Sequence, residues 1–234
     1  MKTLPILLFL LILVFGSEAR SQTFNWGSAA FSDLTDSKGN VLDTTFIFEL
    51  GSFTNSFVPG SSNVMEWKNN WQAFDRANYN GIETPVDDGI YGYFTSSAAM
   101  TDSGLSNSPH MTPGAMSFEG LDAYVWIRNS SDPSMNTEWL LARNGAWVFP
   151  NAIPGCCDNG LPFEWSTSDL TMADIPVWGT QGGHVGDGVI TSTGGPYTLQ
   201  TATFDNPMLV PEPSVFFLNV LGATLLVFRR RRAP

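Results

Sequence analysis

The sequence predicts an all-β ectodomain, a two-sheet β-sandwich of jelly-roll-like form, set between an N-terminal signal helix and a single C-terminal transmembrane helix. Three observations carry this. Between the terminal segments no stretch holds a sustained 3.6-residue apolar period. Short runs rich in β-branched and aromatic residues recur instead, bounded by Gly, Pro, Asn, Asp and Ser. Only 14% of the chain is charged. That many apolar strands cannot be covered within one sheet, so two packed sheets are the economical solution.

The strands follow in order. Thr23 to Trp26 opens the series, and Thr44 to Leu50 (TTFIFEL) alternates after the turn Asp36-Ser37-Lys38-Gly39-Asn40. From Met65 to Tyr79 the positions of Trp67, Trp71, Phe74 and Tyr79 approximate a helical spacing, so one short helix is expected there. Tyr91 to Phe94 reads as a strand. Ala123 to Arg128 (AYVWIR) is the clearest one, closed by Asn129-Ser130-Ser131-Asp132-Pro133. Glu138 to Arg143 and Ala146 to Phe149 flank Asn144-Gly145, the signal of a type I′ hairpin. Asn151 to Gly195 reads as long loops between short strands, and Tyr197 to Phe204 as the last strand. Nothing divides residues 20–209, which form one expected domain.

Both ends carry targeting chemistry. Lys2 precedes the apolar run Leu4 to Phe15, and Ser17-Glu18-Ala19 places small residues at a cleavage site. Residues 1–19 therefore read as a secretory signal peptide. At the other end, residues 210–234 fall into three parts. Val210-Pro211-Glu212-Pro213-Ser214 stays extended, because two prolines fix φ and remove two backbone donors. Residues 215–228 form an apolar run of 14 residues, about 21 Å long as a helix and short for a hydrocarbon core of about 30 Å. Snorkelling and local thinning accommodate such a span, although Asn219 interrupts it. Arg229-Arg230-Arg231-Arg232 then hold the cytoplasmic side, which leaves Pro211 to Pro213 outside.

This tail resembles the PEP-CTERM signal of Gram-negative envelope proteins. Within the domain, FIFELGSF (Phe46 to Phe53), Phe57-Val58-Pro59, the pair Trp67 and Trp71, AYVWIRN (Ala123 to Asn129) and EWLLARNGAWVFP (Glu138 to Pro150) resemble the ectodomains of such proteins. The resemblance implies an exosortase-type membrane protease and the secretion machinery as partners. It implies a cytoplasmic-membrane span until processing, and then a place at the cell surface or in the extracellular matrix. It carries no catalytic residue across.

Charge and motifs bound the function. The exported part holds six Lys and Arg against twenty Asp and Glu, a formal charge near −14. Such a surface repels nucleic acid and anionic lipid. HExxH, GxSxG and a P-loop are absent from the sequence, so no catalytic residue is assigned. The two histidines are His110 and His184, and His184 shares a glycine-rich loop with Asp187. No metal or other cofactor is expected beyond weak calcium candidates, Asp33/Asp36, Asp87-Asp88-Gly89, Asp158-Asn159-Gly160 and Asp187-Gly188, which equally suit turns. Trp126 and Trp147 fit a core, whereas Trp67, Trp71, Trp165 and Trp178 stand in polar contexts and are the better candidates for exposed contact, with core or loop packing favoured over that.

Two function classes follow. One is a non-enzymatic structural or adhesive protein of an extracellular polysaccharide layer. The other is an exported carbohydrate-binding or glycan-hydrolysing β-sandwich protein. The adjacent pair Cys156 and Cys157 is compatible with a strained vicinal disulfide, with free thiols or with intermolecular bridges. Non-reducing mass spectrometry of the native protein is expected to find both sulfurs oxidised within one chain. Two free thiols would sink the vicinal bridge.

Overall fold

The computed structural model describes residues 21–29, 32–54, 56–80, 92–151, 161–170, 174–192 and 194–204. Their strands are β1 (Gln22–Gly27), β2 (Asp33–Thr35), β3 (Ile47–Phe53), β4 (Trp71–Asn80), β5 (Tyr93–Met100), β6 (Asp122–Arg128), β7 (Glu138–Val148), β8 (Phe163–Ser166), β9 (Thr180–Gln181), β10 (His184–Val185), β11 (Thr198–Gln200) and β12 (Ala202–Thr203). Two short α-helices, α1 (Val64–Asn70) and α2 (Thr167–Leu170), and one 3-10 turn, Ser61–Asn63, complete the set. The chain is thus mostly β, in two sheets. One has eight strands in the order β12-β7-β6-β3-β4-β5-β1-β8, and the other four in the order β10-β9-β11-β2. Among the described residues no helix is long and apolar enough to cross a membrane. The signal segment, the apolar run 215–228 and the arginine stop lie outside the described residues.

The two halves of the large sheet differ in how they are covered, and the sequence pattern follows. β1 alternates, with Phe24 and Trp26 buried and Thr23 and Asn25 partly exposed. β6 is buried at six consecutive positions, Ala123 to Arg128, because both its faces are covered. Its residues Val125 and Ile127 join the inner core with Phe24, Phe48, Phe74, Phe118 and Phe149, and with Leu34 and Leu199 of the small sheet. Phe74 anchors this core through ring contacts at 5.3 Å to Phe24 and 4.8 Å to Phe149. Tyr124 and Trp126 point the other way, into a second cluster with Trp67, Trp71, Trp139 and Trp178.

Several expectations from local sequence are corrected. The helix expected over Met65 to Tyr79 is confined to α1, and from Trp71 onward the chain is strand β4. A bulge explains the misleading spacing. Gly51 pairs with Ala73 and Leu50 with Asp75, so Phe74 is the extra residue and the two-residue alternation is broken. Gly51 is required there, since a Cβ would lie 2.2 Å from the Gln72 carbonyl oxygen and 2.7 Å from the Trp71 ring.

Asn144-Gly145 does not turn the chain either. β7 runs through it, and neither residue has the positive φ that a type I′ turn demands. Arg143 pairs with Tyr124 and Val148 with Asp122, so Asn144 to Trp147 bulge outward. Asn144 holds the bulge by accepting from the Ala146 amide (2.8 Å) and donating to the Asp169 carbonyl (2.7 Å). The two-residue hairpin falls instead at Gly182-Gly183, both with positive φ, between β9 and β10.

The expected last strand is two. β11 lies in the small sheet and β12 at the edge of the large one, so the chain changes sheets at Thr201. The Thr201 amide donates to the Thr35 carbonyl (2.9 Å) and its hydroxyl to Glu138 (2.7 Å).

One side chain completes the outer edge of β7. β12 pairs with its first residues, and Trp178 bridges Leu141. At Arg143 the side chain of Gln181 takes over. Its Oε1 accepts from the Arg143 amide (3.1 Å), and its Nε2 lies within reach of the carbonyls of Arg143 (2.8 Å), Leu170 (2.8 Å) and Asp174 (2.9 Å). Gln181→Ala leaves several backbone groups unpaired at a fully buried position and is expected to cost about 3 kcal/mol in urea denaturation. A loss within experimental error would contradict this role.

Candidate functional site

A charged residue in the middle of a sheet needs partners, and a dense polar constellation forms around one. Glu49 sits on β3, directly opposite Arg76 of β4 and Trp126 of β6. Only 2% of it is exposed. Its Oε1 accepts from Arg76 Nη2 (2.7 Å) and Nε (3.2 Å), and its Oε2 from Arg128 Nη2 (2.7 Å) and the Trp71 indole N–H (2.9 Å). Arg128 is itself buried and lies 4.1 Å over the Trp126 ring, a cation–π contact. Arg76 keeps 41% of its side chain exposed. One carboxylate therefore joins two guanidiniums at the border between the covered and the open half of the sheet.

Burial pushes the Glu49 carboxyl upward. The Arg128 charge, with the hydrogen bonds from Arg76 and Arg128, outweighs that and holds it below the usual glutamate value.

The four tryptophans weighed as exposed platforms are buried, in line with the core packing favoured for them. Trp67 is fully inaccessible, and Trp71, Trp165 and Trp178 expose 8% or less. Indole N–H groups among them find internal acceptors. Trp67 donates to Asn63 (2.9 Å) and Trp178 to the Ala202 carbonyl (3.1 Å). Trp67 stacks on Trp139 at 5.4 Å, and Trp165 on Trp147 at 5.2 Å. Trp126 and Trp147 are core residues, as their context indicates.

Other carboxylates are engaged in the same way. Asp75 is buried and accepts from the Trp26 indole (2.8 Å) and the Ser108 hydroxyl (2.6 Å). Its partner position is Leu50, on the inner face, whereas Glu49 faces outward, so the two do not share a cleft. Glu138 accepts from the Ser37 hydroxyl (2.6 Å) and amide (3.1 Å) and from Thr201. Asp36 takes the amides of Lys38 and Asn40 (both 2.8 Å), which is turn chemistry. His110 and His184 are exposed, far apart in the chain, and the second belongs to the β9–β10 hairpin. Among the described residues no three His, Cys, Asp or Glu side chains are grouped to hold a metal.

The sequence reading brought out neither Glu49 nor its arginines. The signal was present: a glutamate inside the apolar run FIFELGSF and an arginine closing AYVWIR are charges placed where strands are buried. The remaining candidates, Cys156 and Cys157, the segment Val210 to Ser214 and Arg229 to Arg232, lie outside the described residues, as do Asp87-Asp88-Gly89 and Asp158-Asn159-Gly160.

Glu49→Gln leaves two guanidiniums without their counter-charge and is expected to cost about 3–5 kcal/mol at pH 7. Because the folded-state pKa is depressed, this stabilisation is fully present above the unfolded value of about 4.3 and is lost as pH falls through the folded one. The gap between wild type and Glu49→Gln should therefore narrow in acid, as read from urea midpoints at pH 7 and pH 3. Equal midpoints at pH 7 would refute it. No protein-family model, curated protein or solved structure matches the chain.

Proposed function

We propose that the chain is an exported cell-surface or matrix protein with a non-enzymatic structural or adhesive role. On this reading residues 1–19 direct secretion, residues 20–209 are a jelly-roll-like β-sandwich domain, and residues 210–234 are a tail sorted by an exosortase-type protease. The observation that carries the reading is the order of chemistries in that tail: a proline-rigid extended motif, an apolar run and four arginines. A protease cleft binds extended backbone that has no partner, and arginines hold the orientation that presents it outside. The use of tryptophans and carboxylates inside the domain supports a scaffold over a catalyst. Glu49, Asp75 and Glu138 each accept hydrogen bonds from the fold itself, which leaves them poor general acids or bases.

The intact mass and C-terminal peptide of the protein from its native host test this. A C-terminus at or near Pro211 to Pro213 is the expected result. A mature chain that still ends at Pro234 would make the tail a standing anchor and remove the sorting role.

A further inference from the structure

Among the described residues the outer face of the large sheet is covered over β3, β6 and β7 by α1 and the tryptophan cluster, and uncovered over the other half. The register shows what the open half carries. Asn78 of β4 pairs with Thr95 of β5, Ser97 of β5 with Asn25 of β1, and Asn25 with Glu164 of β8. Strand alternation places these side chains on one face together with Arg76 and Tyr93, the face opposite the buried Phe24, Phe94 and Ala98. Asn78, Thr95, Ser97 and Glu164 are exposed, and Tyr93 shows 48% of its surface.

We infer that this open half-face is a binding surface for an uncharged polysaccharide. The lining is mainly hydroxyl and amide groups, each able to donate and accept, which matches a ligand made of hydroxyl groups. Adjacent strands repeat every 4.7–4.9 Å, so the surface offers a regular ladder of such groups to a polymer with a regular repeat. The side chains are mostly short and lose little rotamer entropy on binding. Arg76 is already held by Glu49, so its ordering cost is met before any ligand arrives. The exposed Tyr93 ring supplies an apolar plate for a sugar face. Charge selects among polymers, since a domain near −14 repels a polyanion. The face offers a membrane or an apolar protein partner little to bury, because Tyr93 is its one large exposed aromatic side chain among the described residues.

This inference names a partner for the adhesive role proposed above, yet it is read independently of the tail. Full-length protein in a non-ionic detergent is run through native gels containing hydroxyethylcellulose, galactomannan or dextran. Retardation in at least one of them is expected, with the affinity lowered about tenfold or more by Tyr93→Ala and by Ser97→Arg. Val185→Ala, at an exposed position on β10, should leave it unchanged. No retardation in any of the three gels would overturn the inference, as would retardation that both face variants leave intact. C-terminal processing is scored separately, so either proposal can fail without the other.

Discussion

An eight-stranded sheet presents more apolar area than a four-stranded partner can cover, and much of this structure answers that mismatch. The inner face gathers phenylalanines from the large sheet with Leu34 and Leu199 from the small one. The outer face of β3, β6 and β7 is buried by a second set of residues, drawn from α1, from Trp178 before β9 and from Phe204 after β12. A helix of seven residues contributes mainly one large side chain, Trp67. Its ring meets Trp126, Trp139 and Trp178 within 6.3 Å, so one short element closes a broad surface.

Covering the outer face has a consequence for charge. Glu49 occupies an outward position on a central strand, and once α1 and its neighbours exclude water the carboxylate must be matched inside the protein. Arg76 and Arg128 arrive from the two flanking strands, and the Trp71 indole from the start of β4. The bulge at Phe74 makes this compatible with the inner core. It lets Phe74 and Asp75 both face inward while Arg76 returns to the outward side. Gly51 is the position on β3 that admits the bulged strand.

Among the described residues the cover ends at Arg76. Beyond Arg76 the same sheet face turns to Asn78, Thr95, Ser97 and Asn25, side chains that need no burial. The tryptophans, which in sequence suggest sugar platforms, build the wall beside this surface. The glycan-binding surface proposed above thus lies beside the indoles, on a polar ladder whose members are scattered over four strands.

By itself the sequence determined the β class, the acidic balance and the order of chemistries at both ends, because these depend on composition, alternation and contiguous motifs. It also marked β1, β3 and β6, where the apolar pattern agrees with burial. Only the tertiary structure decided that Trp71 to Asn80 is a strand, that Asn144-Gly145 is a bulge, and that Thr201 divides one apparent strand between two sheets. In each case local propensity was overruled by pairing with residues distant in the chain: β3 for β4, Asp169 for Asn144, Thr35 and Glu138 for Thr201. The buried Glu49 cluster and the open polar face belong to the same kind. Their residues become neighbours only through strand order and register, which no local spacing encodes.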